Sequence, residues 1–303
     1  GVWISPSFVS LNLSDKNQQE LINWKTSLVD QSSYNSHLEQ KFQNEKLVVQ
    51  QQLVFSSGHS AIQQTSITNR STETITLFPS YSSKLFLGDL QLSNENKTLK
   101  IVSTKSKAVG YIQFSNTNTI EITKEGYKTQ LEQINLKPNE TVAIQVSQTY
   151  IFPQYSWEKE NQSLGEAKFN TILTATQKDK EKQLTQLIAK KKSIYKEHSY
   201  SNVLAKLVLT LQNNSRIAVE GLKHDGVFPS YHYEWFNGFW AWDSWKHAVA
   251  LAEFNSDLAK NQMRAMFDFQ EKNGFIPDCI YRDTSIEANN YRNTKAPLSA
   301  WAI

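Results

Sequence analysis

The sequence holds a single cysteine, Cys279, in 303 residues. No disulfide can form within the chain, and no metal site can be built from thiolates. A lone thiol of this kind is expected buried among apolar neighbours. The six histidines show no His-x-x-x-His spacing, so neither a zinc site nor any other cofactor is expected. His247 is expected to pack or to face solvent. No apolar run reaches the ~18 residues of a membrane span. A Gly-rich phosphate loop, a nucleophile elbow and a dinucleotide fingerprint are also missing. Nor does charge of one sign dominate. The 32 basic and 29 acidic residues leave +3, too even a balance to point to nucleic acid or an anionic membrane as partner.

Apolar residues are modest in number at 39%, and Asn, Gln, Ser and Thr rather than charge fill the deficit. That composition suits a β-rich globular chain better than a disordered one. The length suffices for two domains. Residues 1–153 read as an N-terminal β-sandwich. Polar and apolar residues alternate over 61–67, at Ile75 and Leu77, and at Val142, Ile144 and Val146. Turn signals separate these runs at Asn69-Arg70-Ser71, Asn94-Glu95-Asn96, Gly126 and Pro138-Asn139. The character changes near Pro153. Residues 154–200 read as a helical linker, in which the charge run 178–182 is a solvated helix face and Leu184, Leu187, Ile188 and Tyr195 follow at helical spacing. Residues 201–303 read as helices joined by aromatic loops, with expected helices over 203–211 and 242–254. A third helix carries Leu258, Ala265, Met266 and Phe269, with Asn255-Ser256-Asp257 as its start and Asn273-Gly274 as its stop, and a fourth opens at Pro297. Strands followed by helices imply separate domains. The chain opens on Gly1-Val2-Trp3 without Met and closes inside an expected helix, so it reads as a fragment of a longer protein with room for an export signal upstream.

The stretch 231–245 contains four of the eight tryptophans, together with Asn237, Gly238 and Asp243. Two readings stand side by side. Aromatic residues fill cores well. Indole faces also stack on the C–H faces of pyranose rings, and a carboxylate accepts hydrogen bonds from sugar hydroxyls, so aromatic walls with a few fixed polar groups make an orienting pocket. Asp243 at a helix start reads either as an N-terminal cap or as a sugar ligand. Arg292, Asn293 and Lys295 precede Pro297 in a loop. There their donors reach either sugar hydroxyls or the loop's own backbone.

Four ordered motifs carry a resemblance: Trp-x-Trp-Asp-Ser-Trp-Lys-His-Ala from Trp240, Ala-Glu-Phe-Asn-Ser-Asp-Leu-Ala-Lys from Ala252, Gly-Phe-Ile-Pro-Asp from Gly274, and Arg-Asn-Thr-Lys-Ala-Pro-Leu-Ser-Ala-Trp from Arg292. Together they resemble glycoside hydrolase family 63, which includes processing α-glucosidase I, bacterial α-glucosidases and mannosylglycerate hydrolases. Within that family the motifs resemble those of the bacterial α-glucosidases. The likeness is strong over 196–303 and weaker over 38–80. Ala296-Pro297 stands where the family has Pro-Pro or Pro-Ser.

The resemblance implies a β-sandwich, a helical linker and the first helices of an (α/α)6 toroid, incomplete in this chain. It implies an inverting α-glucosidase acting on an α-glucoside, with a mannosylglycerate-type glycosidase or an inactive carbohydrate-binding protein as alternatives. Inversion needs a carboxylic acid and a carboxylate base ~6.5–9.5 Å apart, with water between them. In the family both come from later toroid helices, so both are expected beyond Ile303 and this chain alone is expected to be inactive and poorly soluble. The wall of the −1 sugar subsite carries over as Phe236, Trp240, Trp242, Asp243 and Lys295, with Arg292 a further member. No cofactor is implied. The full-length protein is expected to be a bacterial, periplasmic or otherwise extracytoplasmic monomer.

Overall fold

The computed structural model describes residues 5–85, 88–195, 198–230, 236–282, 284, 288–291 and 298–303. Antiparallel sheet fills the N-terminal part and a few helices follow. The chain divides into two compact units, 3–176 and 177–303.

Among the described residues, thirteen strands build the first unit. They are β1 (Ser10–Ser14), β2 (Leu28–Ser33), β3 (Leu38–Gln43), β4 (Leu47–Phe55), β5 (Ser60–Asn69), β6 (Ile75–Lys84), β7 (Leu90–Glu95), β8 (Thr98–Ser103), β9 (Val109–Phe114), β10 (Thr117–Thr123), β11 (Gly126–Leu131), β12 (Ile134–Leu136) and β13 (Thr141–Ile151). One sheet runs β2-β3-β4-β5-β13-β9-β8-β7. The other runs β1-β6-β11-β10, with β12 also paired to β6.

The period-2 alternation read from 61–67 and 142–146 is the inner face of the larger sheet. Val49 pairs with Ile67, and Ile67 with Val142, so the register puts three apolar side chains in one row. Leu47, Val49, Ile67, Ile144 and Val146 share one core with Leu11, Leu13, Leu77, Tyr127 and Leu131 from the smaller sheet. Each such side chain contributes about 1.5–3 kcal/mol by leaving water. The Asn94-Glu95-Asn96 signal becomes a tight β7–β8 turn. Asn96 and Lys97 take φ of 52° and 63° there, the left-handed pair that suits a two-residue hairpin.

Val54 and Ile62 sit on the opposite parity and pair with each other on the outer face. They are covered by Phe169 and Leu173. These two belong to helix α2 (Phe169–Ala189), which follows helix α1 (Trp157–Glu166). Trp157 stacks on Tyr111 with ring centroids 3.9 Å apart. The Glu160 carboxylate accepts from the Ser57 and Ser60 hydroxyls at 2.5 and 2.6 Å. Charge-assisted bonds of this kind are among the stronger side-chain contacts.

The second unit holds α3 (His198–Asn213), α4 (Ala241–Ala252), α5 (Ser256–Phe267) and the short α6 (Ser299–Ala302). The start signal before α5 works as read: the Asn255 side chain accepts from the Leu258 N–H at 3.2 Å. The stop does not. The helix ends at Phe267, ahead of Asn273-Gly274. Phe267, Phe269 and Ile276 all pack on the same core, which requires the chain to turn back before it reaches Gly274. That core is built on Phe228, Phe239, Trp245, Met266 and Ile280. A second core joins Val208 and Leu211 to Val227, Leu251 and Phe254.

Candidate functional site

Helix α4 begins on a short ladder. Phe239 pairs with Ile280 and Trp240 with Cys279, antiparallel. Asn290 extends the ladder: its carbonyl accepts from the Asp278 N–H and its N–H donates to the Cys279 carbonyl, both at 2.8 Å. Gly238 permits this closeness. A Cβ there would lie 2.6 Å from Cys279 Sγ and 2.9 Å from the Ile280 carbonyl oxygen. Cys279 is fully buried beneath it, as expected of a lone thiol.

The first helical amide, Ala241 N–H, donates to the Asp278 carbonyl at 2.9 Å. Trp240 is therefore the residue before the helix, in extended conformation and without a side-chain cap. Asp243 lies three residues in, so the cap reading of Asp243 gives way: a strand carbonyl does the work a cap would do. A carboxylate in the first turn still gains from the helix dipole.

The aromatic residues sort by helix phase. Trp245 is buried and packs on Phe267, their centroids 5.6 Å apart. It belongs to the core. Trp242 remains 40% exposed, as does Phe236. Phe236 meets Trp240 edge to face at 5.8 Å. The Lys246 ammonium lies 4.2 Å from the Trp242 ring centre, one turn further along α4, a cation–π contact. The structure thus brings Phe236 to Trp240 and sets Trp242 and Asp243 on the next turn. Arg292 and Lys295 lie outside the described residues.

Beneath the site a buried network fixes α4 against α5. Gln262 donates from Nε2 to Ser244 Oγ at 3.0 Å, and its Oε1 accepts from the Val227 N–H at 2.5 Å. Gly226 allows the approach, since a Cβ there would lie 2.6 Å from Phe239 Cζ. His247 follows Asp243 by one turn. Burial holds its imidazole below the usual value of 6.5, opposed by the nearby Asp243 carboxylate and a hydrogen bond to the Val227 backbone. Its Nδ1 is buried and finds no hydrogen-bond partner among the described residues. Among the described residues no cluster of three His, Cys, Asp or Glu side chains occurs that could hold a metal.

Asp278 received no role from the sequence. It is 2% exposed, and its backbone fixes the start of α4. The signal available was its place at the end of the Gly-Phe-Ile-Pro-Asp motif, which held a carboxylate but no partner in sequence.

Residues 237–303 match the family of the mannosylglycerate hydrolase MGH1-like glycoside hydrolase domain. Among solved structures, the chain resembles one described as a candidate kojibiose phosphorylase from the human microbiome. The TM-score is 0.59 at 10% identity, over 91% of this chain and 42% of that one. At such identity the likeness shows the fold alone, and the chain spans less than half the length of that protein. Part of the chain also matches a heparan sulfate lyase HepC from Pedobacter heparinus, at 11% identity and TM-score 0.33 over 48% of this chain and 24% of that one. A 4-alpha-glucanotransferase from Thermococcus litoralis matches at 8% identity and TM-score 0.33, over 50% of this chain and 28% of that one. The last two scores are too low to bear on the fold. Among the described residues, no helix is long and apolar enough to cross a membrane.

Proposed function

From the match of residues 237–303 to the mannosylglycerate hydrolase MGH1-like glycoside hydrolase domain, we propose that the parent protein is an inverting α-glucosidase whose −1 sugar subsite is walled by this segment. The observation that carries the reading is the start of α4. Two tryptophans and a carboxylate fall within four residues there, positioned by main-chain bonds to 278–280, with Trp242 left exposed. Indole and phenyl faces take the apolar side of a glucose ring. The Asp243 carboxylate stands in the first turn of the same helix, where it can accept hydrogen bonds from sugar hydroxyls.

In this proposal Phe236, Trp240, Trp242 and Asp243 orient the sugar, and Arg292 and Lys295 supply further donors. Asp243 orients and does not transfer the proton. The acid and base come from later helices of an (α/α)6 toroid, outside this sequence, spaced ~6.5–9.5 Å apart to admit water. Lys246 bears on the same wall: a sugar stacking on the Trp242 face it covers must displace that ammonium. The second reading, a mannosylglycerate-type glycosidase, is favoured by the description of the matching family. Lys246 and Lys295 would then serve the glycerate carboxylate.

Proton NMR of the first product anomer formed by the full-length protein tests the reaction. An α-glucoside should release β-glucose first. Release of α-glucose would overturn inversion, and turnover of mannosylglycerate without turnover of α-glucosides would favour the second reading.

A further inference from the structure

The larger sheet of the β unit carries a second polar site. Its inner face has three consecutive rows across β2 to β5. Phe42, Val49 and Ile67 form the first and belong to the sandwich core. Gln31, Gln40, Gln51 and Thr65 form the second, each paired in register with the next. Ser33, Leu38, Leu53 and Gln63 form the third, in register likewise. Gln31, Gln40 and Gln51 of the second row and the whole third row line a groove of about 530 Å³, together with Ser32, Glu39 and Gln52 from the register row between them and with Ser7 and Val9 from the segment before β1.

Strand propensity does not account for these rows, because they lack the β-branched and aromatic residues that strands favour at half-buried positions, apart from the buried Thr65. Their chemistry is selective. Three carboxamides stand one strand spacing apart, about 4.8 Å, each with two donors and an acceptor. Beside them Leu38 is 50% exposed and pairs with Leu53. Among the described residues, no cation lines the groove. The single charged liner, Glu39, is already engaged, accepting from Gln52 Nε2 at 2.7 Å. An anionic ligand would meet no countercharge among the described liners, only the Glu39 carboxylate.

A row of amides beside an apolar strip matches the two aspects of a pyranose chain, its hydroxyl edge and its C–H face. We propose that this groove binds a neutral oligosaccharide, with Gln31, Gln40 and Gln51 reading hydroxyls and Leu38 and Leu53 under the ring faces. The size suits two to three sugar units. The choice of ligand class rests on the glycoside hydrolase reading, and the site is separate from the α4 wall.

Titration calorimetry separates the two sites. The protein carrying Trp242→Ala and Asp243→Asn, which disables the α4 wall, is titrated with maltotetraose, cellotetraose and mannotetraose, and with a sulfated heparin tetrasaccharide. At least one neutral chain should bind, and the sulfated chain should not. Adding Gln40→Ala and Gln51→Ala should weaken binding by about tenfold or more; Gln51 is half-buried and donates to Thr65 Oγ1 at 3.5 Å, whereas Gln40 is exposed, so Gln40→Ala alone should weaken binding at an unchanged melting temperature. Gln40→Trp should block the groove as a second, independent variant. The proposal is overturned if no neutral chain binds, if the sulfated chain binds best, or if neither set of Gln variants alters binding. Failure of the α-glucosidase reading would appear elsewhere, in hydrolysis insensitive to Asp243→Asn with groove binding intact.

Discussion

The Ala241 N–H donates to the Asp278 carbonyl across 2.9 Å, and this bond sets where helix α4 starts. Trp240, paired with Cys279 in the ladder, is held in extended conformation just before it. Trp242 and Asp243 therefore take their direction from a strand some forty residues later in sequence rather than from a local cap.

The ladder needs the bare backbone of Gly238. An added methyl group would fall 2.6 Å from Cys279 Sγ and 2.9 Å from the Ile280 carbonyl. Gly238→Ala should cost about 1–3 kcal/mol through overpacking and weaken saccharide binding at the α4 wall. Gly165→Ala, with open space around its site in α1, should leave stability equal or slightly raised. Parallel thermal melts check both. Equal melting of the Gly238 variant and the wild type would mean that the ladder yields without cost.

Gln262 is fully buried and serves both Val227 and Ser244. Gln262→Leu keeps an apolar volume but strips a partner from each. A buried N–H left unpaired costs about 1–3 kcal/mol. Amide hydrogen exchange at Val227 should accelerate by about tenfold or more, while exchange in the sandwich core stays as it was.

His247 gives the helical unit a pH dependence of known sign. Its imidazole in the folded chain sits below 6.5, with burial as the main cause. As pH falls through 6.5 the unfolded chain takes up this proton first, which favours unfolding. The contribution is fully present above 6.5 and is lost progressively below it. The denaturation midpoint of the helical unit should fall between pH 7.5 and pH 5, and His247→Gln should flatten that slope. Because the Asp243 carboxylate opposes the shift, Asp243→Asn should lower the His247 pKa further, as read by NMR titration.

Helix phase explains how much of this was legible in sequence. Period-2 alternation at 61–67 and 142–146 located the inner face of a sheet, because one face is dry and the other is wet. Val54 and Ile62 broke that pattern for a reason invisible locally: α2 covers them. In the tryptophan cluster, Trp245 shares its helix face with Ala241 and Ala248, all buried, while Trp242 is followed one turn later by Lys246. That contrast was present in the residues and separates core from wall, but composition alone does not show it. The start of α4 was not legible, since its first amide bonds to the carbonyl of Asp278, and a carbonyl carries no side-chain signature. The amide row of Gln31, Gln40 and Gln51 needed the strand register before it became a row.

The most direct test of the sugar-wall account is kcat/KM of the full-length protein for an α-glucoside before and after Asp243→Asn. A hydrogen bond between a charged carboxylate and a sugar hydroxyl is worth ~1.5–3 kcal/mol, so the ratio should fall by about 10- to 100-fold, with the melting temperature close to that of the wild type. An unchanged kcat/KM would contradict the account.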